Sequence, residues 1–380
     1  MSINFNWDIC ILNIDTMVYV RKIIILIYIK GSEFLFCDDF TFYKTCTFVL
    51  YMSTSLYNPF KTFKFDNQTC FLTGKELSSV DEQIQVFPVW MMRAFDLEEK
   101  PFKMLDESLV TYKSLKLPCS VEAALVIEKM ESEVERAFAL GFDAVSELPQ
   151  ITLFQWMSKI LYGVVFNEIQ TGIRQQTLTG EEMNFSQVLV QKFKNLHAML
   201  QSLLQPMEFE GTNPFSIFIS KVDNPAETFN YRDEINTLIF SLRMNDFGIV
   251  ACLQDNATNN IYHEDVLKMV EGKTLHPVQF EEIAARYFYS VYLFNRLPEY
   301  TYLNTPKMIY VEPMPLADMS MKPIFDHWQV KVYGQVLENF WKPWGFILFE
   351  IIKDPDSPMS FITDDSGNFV PREAIELPLG

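Results

Sequence analysis

The chain has 380 residues, 49% of them hydrophobic, 21% charged and 15% aromatic, a composition that builds a real core and excludes disordered, collagen-like and coiled-coil classes. Its 49 acidic and 31 basic side chains leave a net charge of −18, so long-range attraction to nucleic acid or anionic lipid is not expected. Six cysteines and four histidines leave little room for a metal cluster.

Residues 1–51 contain no Ala, Pro, Gln or His and hold half of the cysteines, a composition foreign to the rest. The apolar run Ile23–Ile29 is flanked by Arg21-Lys22 and Lys30 and is far short of the ~20 residues a spanning helix needs. No small-residue cleavage site follows it. The segment reads as a non-native extension with Met52 as the expected start; an edge strand and a membrane anchor are the other readings.

From Met52 onward the order of elements is legible. Thr62–Leu77 reads as a strand entering a tight turn at Gly74, and Val86–Met92 as a short helix start with Pro88 near its first turn. A long amphipathic helix is predicted over Val121–Phe142, with Leu125, Val134 and Phe138 on one face and Gly141 as its C-terminal cap. Thr152–Ile169 is apolar nearly all round and should be the central buried helix; Phe185–Leu204 forms a third. Phe215–Val222, Ile235–Met244 and Gly248–Gln254 read as strands, the last two as a hairpin turning at Asn245-Asp246. Pro277 opens a helix reaching Leu297 that buries Ile283, Tyr287 and Leu293. Met308–Val311, Trp328–Leu337 and Gly345–Ile352 are predicted strands, and the tail from Asp354 a polar surface segment.

The fold class is α+β: a small N-terminal region over 52–120, a helical layer over 121–210, then an antiparallel sheet with a packed helix over 211–380.

Spacing excludes several chemistries. The glycines lie eight or more positions apart, so the dinucleotide fingerprint, the P-loop and the hydrolase nucleophile elbow are all absent. The closest cysteines are nine apart and the closest histidines thirteen, so neither a zinc knuckle nor a zincin helix is present locally. Unpaired cysteines without a cleavable signal fit a reducing cytoplasm, the expected location.

The remaining constellations have plain structural readings. Glu281-Glu282 with Arg286 reads as a solvated helix face carrying an i,i+4 ion pair rather than an acid–base couple. His263-Glu264-Asp265 reads as a helix start, His197 as a histidine at a core boundary, and Asp255-Asn256 as a turn. Aromatics from His327-Trp328 to Phe349, with Lys331 and Lys342 among them, could stack bases, but the acidic balance favours core packing.

One pattern carries a resemblance. Cys70-Phe71-Leu72-Thr73-Gly74, then Gln85-Val86-Phe87-Pro88-Val89-Trp90, then Pro118-Cys119-Ser120-Val121-Glu122-Ala123 together resemble a family of bacterial HNH-endonuclease-like proteins built on a treble clef. Leu153–Gly163 is similar to the helix that follows the treble clef, so the resemblance covers about residues 60–170. The family carries Cys-x-x-Cys-Gly in the first segment, Glu-His before the Phe-Pro-x-Trp run in the second, and Pro-Cys-x-x-Cys-Asn in the third. Here Thr73 and Glu122 replace the second cysteines, Gln85 the catalytic histidine, and Ala123 the asparagine. HNH chemistry needs a general base and a divalent metal, and glutamine cannot be that base. The resemblance therefore implies a degenerate, catalytically inactive descendant without cofactor, in which Cys70, Thr73, Gln85, Cys119, Glu122 and Ala123 are vestigial positions and protein contacts carry the function. The alternatives are an active nuclease or nucleic-acid binder drawing on His197 or Asp255, and an unrelated enzyme or ligand-binding protein. As ordinary buried thiols, Cys70 and Cys119 should each cost about 1 kcal/mol on substitution by serine.

Overall fold

The computed structural model describes residues 56–79, 82–180, 186–305, 307–354 and 357–377, together with the backbone of 27–29 and 33–35. The chain divides into two units, Met1–Met52 and Ser53–Gly380. In the first, β1 (Ile27–Ile29) and β2 (Glu33–Leu35) form an antiparallel pair with Tyr28 opposite Phe34. The rest of the expectation for residues 1–51 lies outside the described residues.

The second unit begins with short elements. β3 (Gln83–Gln85) pairs antiparallel with β6 (Lys116–Pro118), enclosing α1 (Val89–Ala94) and the hairpin of β4 (Pro101–Lys103) with β5 (Leu109–Thr111). The strand expected over Thr62–Leu77 is reduced to one bridge, Thr69 to Glu76.

The helical layer follows. α2 (Val121–Leu140) starts where Ser120 accepts from Ala123 N and stops at Gly141, as the cap residues predict. Leu125 is 60% exposed, and the buried stripe is instead Ala123, Ile127, Met130, Val134 and Phe138. After α3 (Phe142–Glu147), α4 (Gln150–Thr179) runs 30 residues, ten beyond its expected end, and buries almost its whole N-terminal half. α5 (Gln187–Leu200) completes the layer.

Five strands form the main sheet: β8 (Ser216–Val222), β9 (Phe229–Glu234), β10 (Ile239–Met244), β11 (Phe247–Cys252) and β12 (Thr274–Leu275), in the order β12-β8-β11-β10-β9. All pairs are antiparallel except β12 with β8. β9 escapes the sequence reading because Phe-Asn-Tyr-Arg-Asp-Glu has no apolar run; it is a half-buried edge strand. The β10–β11 turn grips the helical layer: Phe142 N donates to Asp246 Oδ1 (2.7 Å) and Asn245 Nδ2 to Phe138 O (2.8 Å).

The sheet separates two hydrophobic cores. Phe240, Leu242, Phe247 and Ile249 join α2 and α4 in the first; Ile239, Val250 and Cys252 join α8 (Pro277–Leu293) in the second. Strands buried on both faces explain why β10 and β11 are apolar almost throughout. At Gly248 a Cβ would fall 2.4 Å from the Phe280 ring, so α8 seats on the sheet only where a side chain is missing.

Around the cores lie α6 (Thr258–Tyr262), α7 (Glu264–Val270) and a small sheet in which β14 (Ile309–Pro313) pairs antiparallel with β13 (Tyr300–Asn304) and parallel with β7 (Met207–Phe209). Two predicted strands are helices. α9 (Val330–Trp341) covers most of the Trp328–Leu337 segment, because Tyr333, Leu337 and Trp341 at i, i+4 and i+8 all enter the second core; α10 (Leu348–Ile351) replaces the Gly345–Ile352 strand. The tail is not wholly superficial: Phe361 and Ile362 are buried, with the Phe361 ring 5.0 Å from Trp341. The class is α+β, and among the described residues no helix is long and apolar enough to cross a membrane.

Candidate functional site

The turn at residues 70–75 is closed by Cys70 N donating to Lys75 O (2.8 Å) and Gly74 N donating to Cys70 O (2.9 Å). Gly74 has φ +72°, and a Cβ there would lie 2.5 Å from the Tyr57 ring, so the turn requires glycine. Phe71 N donates to Pro118 O (2.8 Å), fixing the turn against the end of β6, and Cys119 N donates to Glu82 O (2.9 Å). Ser120 then caps α2. The sequence thus brings Cys70 and Cys119, 49 positions apart, to one junction between a tight turn and a helix start.

Both thiols are free and buried, at 0% and 2% exposure. Cys119 Sγ donates to Ser120 O (3.6 Å). The Cys119 contact, then the Ser120 N–H and the Thr73 and Ser120 hydroxyls, hold the Cys70 thiol well below its ordinary range against the opposing effect of burial. The same contact, reinforced by burial, drives the Cys119 thiol upward, and nearby Lys159 opposes that rise.

Of the other positions singled out by the resemblance, Thr73 lies in the turn, Glu122 and Ala123 in the first turn of α2, and Gln85 at the far end of β3. Thr73 Oγ1 accepts from Lys75 N (3.3 Å) within the turn. Glu122, in the first turn of α2, forms an exposed ion pair with Lys75 of the turn. Ala123 is buried in the first core. Gln85 ends β3 opposite Lys116, where its amide, with nitrogen turned inward, donates to Lys113 O (3.0 Å) and Leu115 O (3.3 Å). A neutral hydroxyl and a carboxylate already paired with an ammonium do not complete a four-donor shell, so this donor set does not fit zinc. Among the described residues no group of three or more His, Cys, Asp and Glu side chains is placed to hold a metal ion.

Lys159 is the residue that sequence reasoning passes over. It is 1% exposed on the apolar helix α4, and its Nζ donates to Gln85 O (2.5 Å), Val86 O (2.9 Å) and Glu131 Oε1 (2.6 Å). Its signal was a single ammonium among Trp156, Met157, Ile160 and Leu161, a charge that needs internal partners to stay buried. His197 supports the turn from beneath and is fully buried rather than at a boundary. Phe71 O, 2.7 Å from Nε2, can only accept, so that nitrogen carries the proton; burial holds the imidazole down to about 4 and keeps it neutral.

Two constellations lie elsewhere. Glu281 and Glu282 are 2% and 0% exposed, not on a solvated face. Glu281 accepts from Arg243 Nε (3.0 Å) and Asn230 Nδ2 (2.9 Å) and lies 3.5 Å from Arg232 Nε. Glu282 does form the expected pair with Arg286 (2.9 Å), and it also accepts from Ser360 Oγ (2.8 Å), Phe361 N (2.7 Å) and Ile362 N (3.3 Å). These carboxylates fasten strands and tail to α8. Asp255 heads a buried chain: its Oδ2 accepts from Ser216 Oγ (2.6 Å) and from Asn259 N and Nδ2 (both 2.9 Å). Ser290 bridges onward from Asn259 to His263 Nε2 (3.0 Å). Burial raises Asp255 to about 6 and lowers His263 to about 3. His327 is exposed, whereas Phe340, Trp341 and Phe346 are core residues.

No protein-family model, no curated protein and no solved structure matches this chain.

Proposed function

We propose that the region around the Cys70–Cys119 junction is the retained framework of an HNH-like treble clef, and that the protein acts through protein contacts rather than by cleaving nucleic acid. The observation that carries this reading is the convergence of Cys70, Thr73, Cys119 and Glu122, the positions the resemblance assigns to zinc, on one turn and one helix start. Only two of the four are thiols, and the position of the catalytic base is a glutamine whose amide is spent on backbone carbonyls. The net charge of −18 adds to the case against phosphate binding. Free thiols suit the reducing cytoplasm in which we place the protein.

The test is elemental analysis of the purified full chain, followed by incubation with supercoiled plasmid in magnesium and in manganese. The expected results are no stoichiometric zinc and no nicking. One zinc per chain that is lost in Cys119→Ala, or nicking that a chelator abolishes, would overturn the reading.

A further inference from the structure

We propose that the cavity along the open edge of β8 binds a free α-amino acid with a large apolar side chain. The inference goes beyond the reading above and does not need it.

The backbone comes first. At the end of β8, Val222 N donates to Asp246 O on the β11 side (2.8 Å), whereas Asp223 N donates to Leu275 O on the β12 side (2.9 Å). Strand backbone groups alternate in direction, so Phe218 and Ser220 bond toward β11, while Ile217, Ile219 and Lys221 turn theirs to the far edge. Two of those three are answered there. Asn260 Nδ2 donates to Ile217 O (3.2 Å), and β12 pairs with Lys221 through Thr274. Ile219 lies between them. Lys273, which would continue β12 toward it, turns its N–H to Val270 O instead (3.1 Å). Among the described residues nothing pairs with the Ile219 N–H and C=O, and Ile219 lines a cavity of about 570 Å3, an ordinary size for a small-molecule site.

The length of this edge sets the size of the ligand. Asn260 closes one end and β12 the other, so no strand can run along it, but one residue can. An unpaired N–H and C=O on the same residue ask for an acceptor and a donor held as in a single antiparallel partner residue. The carboxylate and ammonium of one α-amino acid supply that pair.

Charge and side chains agree. The lining ammoniums of Lys221, Lys268 and Lys273 are balanced by Glu264 and Glu271 in the lining and by Asp246, 4.0 Å from Lys221. Lys268 pairs with Glu264 (2.7 Å). Lys273 and Glu271 have no ion-pair partner among the described residues, which leaves one charge of each sign for a ligand that carries both. Ser220, 5% exposed, also lines the cavity, and its hydroxyl has no hydrogen-bond partner among the described residues. Phe142, Phe218, Leu267 and Val270 supply the apolar wall against which the ligand's side chain packs.

The experiment is calorimetric titration of the full chain with L-phenylalanine, L-leucine, N-acetyl-L-phenylalanine and L-phenylalaninamide. The two free amino acids are expected to bind, and each blocked derivative of phenylalanine to bind at least about tenfold more weakly, since each loses one charge-assisted contact. Lys273→Gln should weaken phenylalanine by about tenfold and leave phenylalaninamide unchanged, because the amide has no carboxylate to lose. Leu267→Trp, which fills the cavity, should abolish binding. Because that variant could unfold, amide exchange in the parent supplies a second readout: saturating phenylalanine should slow exchange at Ile219 and leave Phe218 and Ser220, already bonded to β11, unchanged. No binding of either free amino acid at about 1 mM would overturn the proposal. Equal binding of the blocked derivatives, or unchanged exchange at Ile219, would overturn it as well.

Discussion

Glu282→Gln is the substitution that most directly tests how the second core is held. The side chain is nearly isosteric, so no cavity opens and the effect is electrostatic. In the folded protein the carboxylate accepts from Arg286, Ser360 Oγ, Phe361 N and Ile362 N. A glutamine offers one acceptor oxygen. If that oxygen faces Phe361 N and Ile362 N, the new NH2 confronts Arg286 and Ser360; if it is flipped, the two backbone donors are stranded. In both orientations a largely buried guanidinium loses its counter-charge, which costs about 3–5 kcal/mol. A stranded buried donor adds about 1–3 kcal/mol when water cannot replace the bond. The expected loss is about 4 kcal/mol, a large part of the ~5–15 kcal/mol by which proteins exceed their unfolded state. Urea unfolding followed by tryptophan fluorescence measures it, since Trp341 packs against Phe361. Amide exchange at Phe361 and Ile362 should accelerate more than exchange in β10 or β11. A loss below about 1 kcal/mol, the size of a surface ion pair, would refute the argument.

Other expectations follow from the same geometry. His197 is held at about 4 in the fold against a reference value of 6.5, so its contribution is complete above pH ~6.5 and is lost as pH falls toward 4, by about 1.4 kcal/mol per unit. His197→Gln should flatten that part of the stability–pH curve, and an unchanged slope would count against a neutral buried ring. Asp255 runs the opposite way: raised to about 6, it favours folding most below pH ~4, and that advantage fades as pH rises through 6. The stability difference between parent and Asp255→Asn should therefore shrink over that range, whereas a constant difference would show that Asp255 titrates normally. Gly248→Ala drives a methyl into the Phe280 ring and should cost about 1–3 kcal/mol by thermal unfolding; a neutral result would mean that α8 can slide without penalty.

What the sequence disclosed depended on the range of the cause. Gly141 set the end of α2, and Asn245-Asp246 the β10–β11 turn, because caps and turns are decided by neighbouring residues. α9 misled because Val330, Val332 and Val336 alternate as in a strand, while packing against α8 and α10 decided for the helical stripe. The burial of Glu281 and Glu282 was illegible for the same reason. Their partners Arg243 and Ser360 come from 38 and 78 positions away, so local charge pattern indicated only the Arg286 pair. Of the candidate site, the nearness of Cys70 and Cys119 was implied only by the resemblance, and Lys159 and His197 arrive through α4 and α5 from far along the chain.

The main sheet is the common boundary of two interiors, and its strands alternate allegiance residue by residue. Phe247 and Ile249 point one way, Val250 and Cys252 the other. Volume gained on one side is therefore pressed through the backbone into the opposite side, because neither interior has a solvent face on which to relax. Drift in the residues beneath α4 must be matched by drift beneath α8. Substitutions that travel together across such a partition should be pairs that never touch.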